Sequence, residues 1–212
     1  MSMSNSPKGA QQDPPRGIEP IDARVVHWFD FICPFCYVSQ DRGELVAARG
    51  LDVVDLPLRA HPEVPPAGVR IGPRRGPMYR HIEAEARAAG LVLNWPSRLP
   101  SSSVALGAAE WVRRIHPVIS REFNRSLFEA HFVLNQDIGD EATVLRHAAL
   151  LGLDPALLGA ALADRSTASW IRESESAAHR HGVRGTPAWL YRGRLLEGAR
   201  PVAEFSRFLE AS

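Results

Sequence analysis

From Val25 to Ile32 the chain reads Val-Val-His-Trp-Phe-Asp-Phe-Ile, an apolar run of β-branched and aromatic residues. That is the pattern of a strand buried on both faces. Pro34 suits the first turn of a following helix, where its missing N–H has no intrahelical partner to lose. The helix is predicted to run to about Arg49, with Gly50 as the residue just past its end and Leu51 as the apolar follower of a Schellman-type stop. Leu51 to Leu58 then reads as a second strand, which makes a βαβ unit. From Arg59 to Pro77, Pro62, Pro65, Pro66, Gly68, Gly72, Pro73 and Gly76 break any regular element.

Beyond that loop the period becomes helical for about ninety residues. Met78, Ile82, Ala86 and Ala89 share one face before Gly90, and Ser103 to Ile115 forms a second helix. Phe123, Leu127, Phe128, His131 and Phe132 mark one face of a third. Asp140 can cap a fourth, which stops at Gly152. Asp154-Pro155 pairs a cap with Pro at the first helical position of a fifth, and Ser166 to His181 makes a sixth, ended by Gly182. Strand character returns in Ala188–Tyr191 and Arg194–Glu197, joined by a turn at Arg192-Gly193, and Pro201 to Leu209 closes the chain as a short helix. The layout is βαβ, a helical block, then αββα: an α/β layer interrupted by an all-helical insertion.

Composition narrows the function classes. The chain has 212 residues, is 45% hydrophobic, and balances 25 Lys and Arg against 24 Asp and Glu. A net charge of +1 gives no support for binding nucleic acid or a membrane surface. No run approaches the roughly 18 apolar residues of a membrane span. Met1 to Pro20 is rich in Ser, Pro, Gly and Gln without the apolar stretch of a secretory signal, so residues 1–22 read as a disordered tail and the expected location is the cytoplasm.

The only two cysteines, Cys33 and Cys36, lie in one Cys-Pro-Phe-Cys tetrapeptide at the carboxyl end of the first strand, where open α/β sheets place their sites. A C-x-x-C between strand and helix reads as a thioredoxin-like redox motif. At the mouth of the helix, Cys33 would feel the helix N-terminus, which favours the thiolate that attacks disulfides. Cys36, one turn later on the same face, can attack a mixed disulfide on Cys33 and release the partner. Cys33 is thus the expected attacking sulfur and Cys36 the resolving one. Half a zinc site is the competing reading, but no second Cys pair exists, and His179 with His181 lack the usual ligand spacing. No metal is expected.

A second motif, Gly182-Val183-Arg184-Gly185-Thr186-Pro187-Ala188-Trp189-Leu190, leads into the hairpin. Together with Phe31-Ile32-Cys33-Pro34-Phe35-Cys36 it resembles the DsbA family of thioredoxin-fold proteins, in particular the FrnE-like branch that also contains the hydroxychromene-carboxylate isomerases. The likeness covers about residues 23 to 212, including Phe128 to Phe132 and Asp137-Ile138. It implies a thioredoxin-like domain over residues 23–62 and 166–212, with a helical insertion over 63–165. It also implies a cis peptide before Pro187. Thr186 and Pro187, with Pro34 and Phe35, would form the substrate edge, where a peptide or glutathione could pair with the Thr186 backbone.

Other residues carry less specific signals. Asp30, three residues before Cys33, reads either as a proton relay or loop organiser or as a buried structural carboxylate. His27 reads as a satisfied strand histidine, and the Trp95, Trp111 and Phe123 to Phe132 aromatics as insertion core. Arg70, Arg74, Arg75 and Arg80 form a cluster that could hold carboxylates or simply be solvated. Phe35 brings no charge to the pair, which predicts a milder oxidant than a DsbA with His there. The expected activity is thiol–disulfide exchange on protein thiols or glutathione, with no bound cofactor. A glutathione-dependent isomerase or transferase, and a non-catalytic holdase, are the alternatives.

Overall fold

The computed structural model describes residues 24–210. The tail expected over residues 1–22 lies outside them.

Strand β1 (Val25–Phe29) is central and buried on both faces, as its unbroken apolar run requires. It pairs in parallel with β2 (Val53–Pro57) and antiparallel with β5 (Ala188–Tyr191), which in turn pairs antiparallel with β6 (Arg194–Glu197). The mixed sheet therefore runs β2-β1-β5-β6. One face packs Val25, Trp189 and Tyr191 on Val46 of α2 (Asp41–Ala47) and on Phe205 and Phe208 of α9 (Val202–Glu210). The other packs Val26, Trp28, Leu56 and Leu190 on Ala177 and Ala178 of α8 (Ser166–Arg180). The arrangement is the α/β thioredoxin-like fold with a helical insertion.

The helix predicted from Pro34 to Arg49 is two helices, α1 (Pro34–Val38) and α2. Side chains cause the break. The Ser39 hydroxyl donates to the Phe35 carbonyl at 2.7 Å and the Gln40 amide to the Tyr37 carbonyl at 3.0 Å, which takes acceptors from the helical ladder. The stop after α2 follows the predicted form, with Gly50 N–H on Ala47 and Leu51 N–H on Val46.

The insertion holds α3 (Pro77–Ala88), α4 (Ser103–Ile115), α5 (Ser120–Phe132), α6 (Glu141–Leu150) and α7 (Pro155–Ala163). Asp140 caps α6 through the N–H groups of Ala142 and Thr143, and Asp154 caps α7 through that of Ala156. The loop before α3 is not wholly irregular: β3 (Val69–Arg70) pairs with β4 (Arg98–Leu99) in a two-residue ribbon. Two residues are too few to leave a periodic signal. A trace lies in Gly68, which sits at φ +65° where an added Cβ would meet the Leu99 carbonyl at 2.8 Å.

The largest cluster of buried side chains joins the two parts. Phe29, Phe31, Ile32 and Tyr37 pack with Ile82 of α3, Leu106 of α4 and Phe123, Leu127, Phe128 and Phe132 of α5. The cysteine-bearing segment is therefore gripped between the sheet and the insertion.

Candidate redox site

After Phe29 the chain turns so that the Cys33 N–H meets the Asp30 carbonyl at 3.2 Å. Cys33 caps α1 in an extended conformation, and its carbonyl accepts from the N–H groups of Cys36 (3.1 Å) and Tyr37 (3.2 Å). Both thiols are reduced; Cys33 is 8% exposed and Cys36 2%. Cys33, the expected attacking sulfur, is thus the more accessible of the two, and Cys36 lies behind it.

The pair is electrostatically unequal. Cys33 is held below the ordinary thiol range, foremost by the hydrogen bond from the Cys36 thiol, against the opposing effect of burial. Cys36 is pushed well above that range by burial, by that same hydrogen bond and by the charge on Cys33. The helix whose N-terminus is expected to favour the thiolate is only five residues long, and the largest influence on the lowered Cys33 pKa is the neighbouring Cys36 thiol.

The second motif arrives from α8. Its end is closed by Val183 N–H on the Ala178 carbonyl at 3.0 Å, and the loop is tied to β6 by Arg184 N–H on Glu197 at 2.7 Å. The Thr186–Pro187 peptide is cis, as the resemblance implied. The Cys33 thiol donates to the Thr186 carbonyl at 3.3 Å, although 153 residues separate them. The buried Thr186 hydroxyl makes no well-formed hydrogen bond, yet it lies near enough to both sulfurs to lower their pKa values as a donor. Of the four expected substrate-edge residues, Pro34, Phe35 and Thr186 are half-buried, while Pro187 is buried.

Asp30 is fully buried, and burial raises its pKa to about 6. Oδ2 accepts from Ala60 N–H at 2.7 Å and Oδ1 from Ile32 N–H at 3.3 Å. His27 is half-satisfied: Nδ1 lies 2.7 Å from Asp55 Oδ1 and the ring stacks on Trp189, but buried Nε2 has no partner. Arg70, Arg75 and Arg80 are exposed, and Arg74 is half-buried over the Tyr79 ring. Among the described residues no three His, Cys, Asp or Glu side chains converge as a metal set, and no helix is long and apolar enough to cross a membrane.

Two contacts escaped the sequence reading. Tyr37 donates to the Val92 carbonyl at 2.5 Å and stacks on Phe132, which pins the cysteine helix to the insertion. Its place four residues after Cys33, on the same helix face, was the available signal. Ser102, buried at the start of α4, is close enough to Asp30 to hold its pKa down against burial, and nothing local in the sequence marks it.

Fold and paired thiols together define a thioredoxin-like domain that carries a C-x-x-C pair at the start of its first helix. The chain belongs to the family described as the DSBA-like thioredoxin domain, which matches residues 24–210. Among solved structures it is similar to a probable DsbA oxidoreductase from Streptomyces coelicolor, at 23% identity and TM-score 0.74 over 88% of each chain. It is also similar to a 2-hydroxychromene-2-carboxylate isomerase, at 16% identity and TM-score 0.71, over 88% of this chain and 94% of that one. A third similar structure is the cytosolic disulfide reductase DsbM from Pseudomonas aeruginosa with GSH, at 18% identity and TM-score 0.62, over 88% of this chain and 97% of that one. At these identities the likeness to the solved structures is one of fold.

Proposed function

We propose that this chain is a thiol–disulfide oxidoreductase of the FrnE-like branch, acting in the cytoplasm on protein or small-molecule thiols, with glutathione as its exchange partner. The observation that carries this reading is the geometry of the pair: Cys33, the more exposed sulfur, sits at the start of α1 against the carbonyl of the cis Thr186–Pro187 peptide, with Cys36 buried behind it. In the reducing direction, Cys33 thiolate attacks a substrate disulfide; one substrate sulfur leaves as a thiol and the other is joined to Cys33. Cys36 then gives up its proton and attacks the Cys33 sulfur, so the second substrate thiol leaves and the protein disulfide forms. The substrate gains two electrons, and two glutathione thiols return the pair to its reduced form as glutathione disulfide. Run backward, the same steps oxidise a dithiol. The Thr186 backbone, beside Cys33, is the edge on which an extended substrate would lie.

The FrnE-like assignment is supported by the insertion motif Phe128 to Phe132 with Asp137-Ile138, and the glutathione and cytoplasmic assignments by the fold shared with DsbM. The test is exchange with glutathione followed by thiol trapping. Cys36→Ser is expected to accumulate a mixed disulfide on Cys33, and Cys33→Ser to accumulate none. Activity on a disulfide substrate that survives in Cys33→Ser would discard redox cycling in favour of a binding role.

A further inference from the structure

The insertion holds a cavity of about 50 Å³ between β4 and the chain that leaves α5. Arg98 lines it from β4, and His131, Asn135, Gln136 and Asp137 line it from the end of α5 and the turn beyond. Room of that size takes about three or four waters, or one ion of about four or five heavy atoms. His131 is only 2% exposed, yet among the described residues neither of its ring nitrogens has a hydrogen-bond partner. A buried imidazole left in that state costs free energy unless something in the cavity bonds it. The exchange chemistry of the cysteine pair makes no use of this ring.

The groups around the ring are mostly donors. Gln136 Oε1 lies 2.8 Å from His147 Nε2, which leaves the Gln136 NH2 to donate, and Asn135 brings a second amide. Arg98 is committed only in part, to the Ala67 carbonyl and, through Nε, at 3.8 Å to Asp137 Oδ2. Arg74, whose charge His131 feels, has a buried Nε–H without a partner. Burial and that charge hold the His131 pKa down to about 4, so near neutrality the ring carries one N–H and one lone pair. Asp137 is the opposing charge, with Oδ1 taken by the Gly139 N–H at 2.9 Å. We propose that this cavity binds a small oxyanion, a phosphate or a short carboxylate, which Arg98 pairs with and the His131 N–H and the Gln136 amide orient. The site is separate from the cysteine pair and does not depend on the redox reading. Its occupant would tie the β3–β4 ribbon to α5, whose Phe128 and Phe132 pack on the cysteine-bearing segment, so binding stabilises the insertion by mass action.

The probes are inorganic phosphate and acetate, titrated separately into the full chain with sodium chloride holding the ionic strength constant. The readouts are the NMR resonances of the His131 ring, identified by their loss in His131→Gln, and the melting temperature. A saturable shift of the His131 signal with a rise in melting temperature is the expected result, and the probe that saturates at the lower concentration marks the anion as phosphate or carboxylate. Arg98→Met should weaken binding by about tenfold or more, the effect of losing a charge-assisted hydrogen bond. Arg75→Met, at an exposed position outside the cavity, should leave it unchanged. Asp137→Asn removes the opposing charge and should tighten binding by about threefold to tenfold. No saturable shift with either probe overturns the proposal, for the cavity then holds water only. A shift that saturates equally in wild type, Arg98→Met and Asp137→Asn overturns it as well, because the probe is then an adventitious ion only. If Arg98→Met does not fold, an Asp137→Asn protein that binds no more tightly than wild type overturns it instead.

Discussion

The ionisation of Cys33 is set by what lies immediately around it: the Cys36 thiol behind, the Thr186 carbonyl at 3.3 Å, and half-buried Phe35 two residues on. The Phe35 ring can shape a contact but cannot stabilise a thiolate, so Cys33 should ionise well above the roughly 3.5 of the most strongly activated DsbA-type cysteine. Phe35→His would place a cation beside the sulfur. Its expected effect is a fall in the Cys33 alkylation midpoint of about one pH unit or more, with a more oxidising pair. An unchanged midpoint would show that the ring lies too far from the sulfur to matter. At this scale the sequence was generous about chemistry and silent about partners. The cysteines and Thr186-Pro187 announce themselves by residue type. Ala60, whose N–H holds the Asp30 carboxylate, does not, because any backbone N–H could fill that place and only the tertiary fold brings it within reach.

Elements of ten or more residues with a cap at one end were legible from periodicity, and α4 and α6 sit where Ser103 and Asp140 announced them. The misses share a cause: short-range side-chain bonds and remote pairing leave no period. Ser39 and Gln40 split the predicted helix by taking carbonyls from the ladder, and the β3–β4 ribbon joins segments 28 residues apart at Arg70 and Arg98. The packing of α4 on α8 was equally hidden. At Gly107 the helices approach closely, for an added Cβ would lie 2.9 Å from Thr167 Oγ1 and 3.1 Å from its Cβ. Beside it, Glu110 is 1% exposed and neutralised by Arg113 and Arg114, and Arg114 also reaches Glu173 on α8. Gly107→Ala should therefore destabilise by about 1–3 kcal/mol through overpacking, although alanine is the better helix former by about 1 kcal/mol. Urea denaturation of Gly107→Ala, Thr167→Ala and the double variant checks this, since the second substitution should restore most of the loss. A Gly107→Ala protein as stable as wild type would place the close approach elsewhere.

Two buried titratable groups, one in each part of the molecule, couple its stability to pH in opposite senses. Asp30 is raised from 3.8 to about 6 by burial, so between those values the folded state binds more protons than the unfolded one. Its penalty of about 3 kcal/mol is fully felt above pH 6 and is relieved as pH falls toward 4. His131, on α5, is lowered from 6.5 to about 4 by burial and by the nearby charge of Arg74. There the unfolded state binds more protons, so about 3 kcal/mol of stability present above pH 6.5 is lost as pH falls toward 4. The two windows overlap and largely offset each other. His131→Gln removes the second alone, and relative to wild type the variant should gain about 2–3 kcal/mol between pH 7 and pH 4.5, read from urea midpoints. Parallel profiles for the two proteins would contradict it.

The proposed activity requires a working dithiol, gripped between sheet and insertion, that trades electrons with thiols. Its most direct test is the equilibrium of the purified chain with glutathione redox buffers, followed by tryptophan fluorescence and thiol trapping. The predicted result is a single two-electron transition, lost in Cys33→Ser and Cys36→Ser. A midpoint at or above about −200 mV would mark an oxidase or isomerase, and one near about −270 mV a reductase. A chain that shows no transition, with Cys33 unreactive at neutral pH, would contradict the claim.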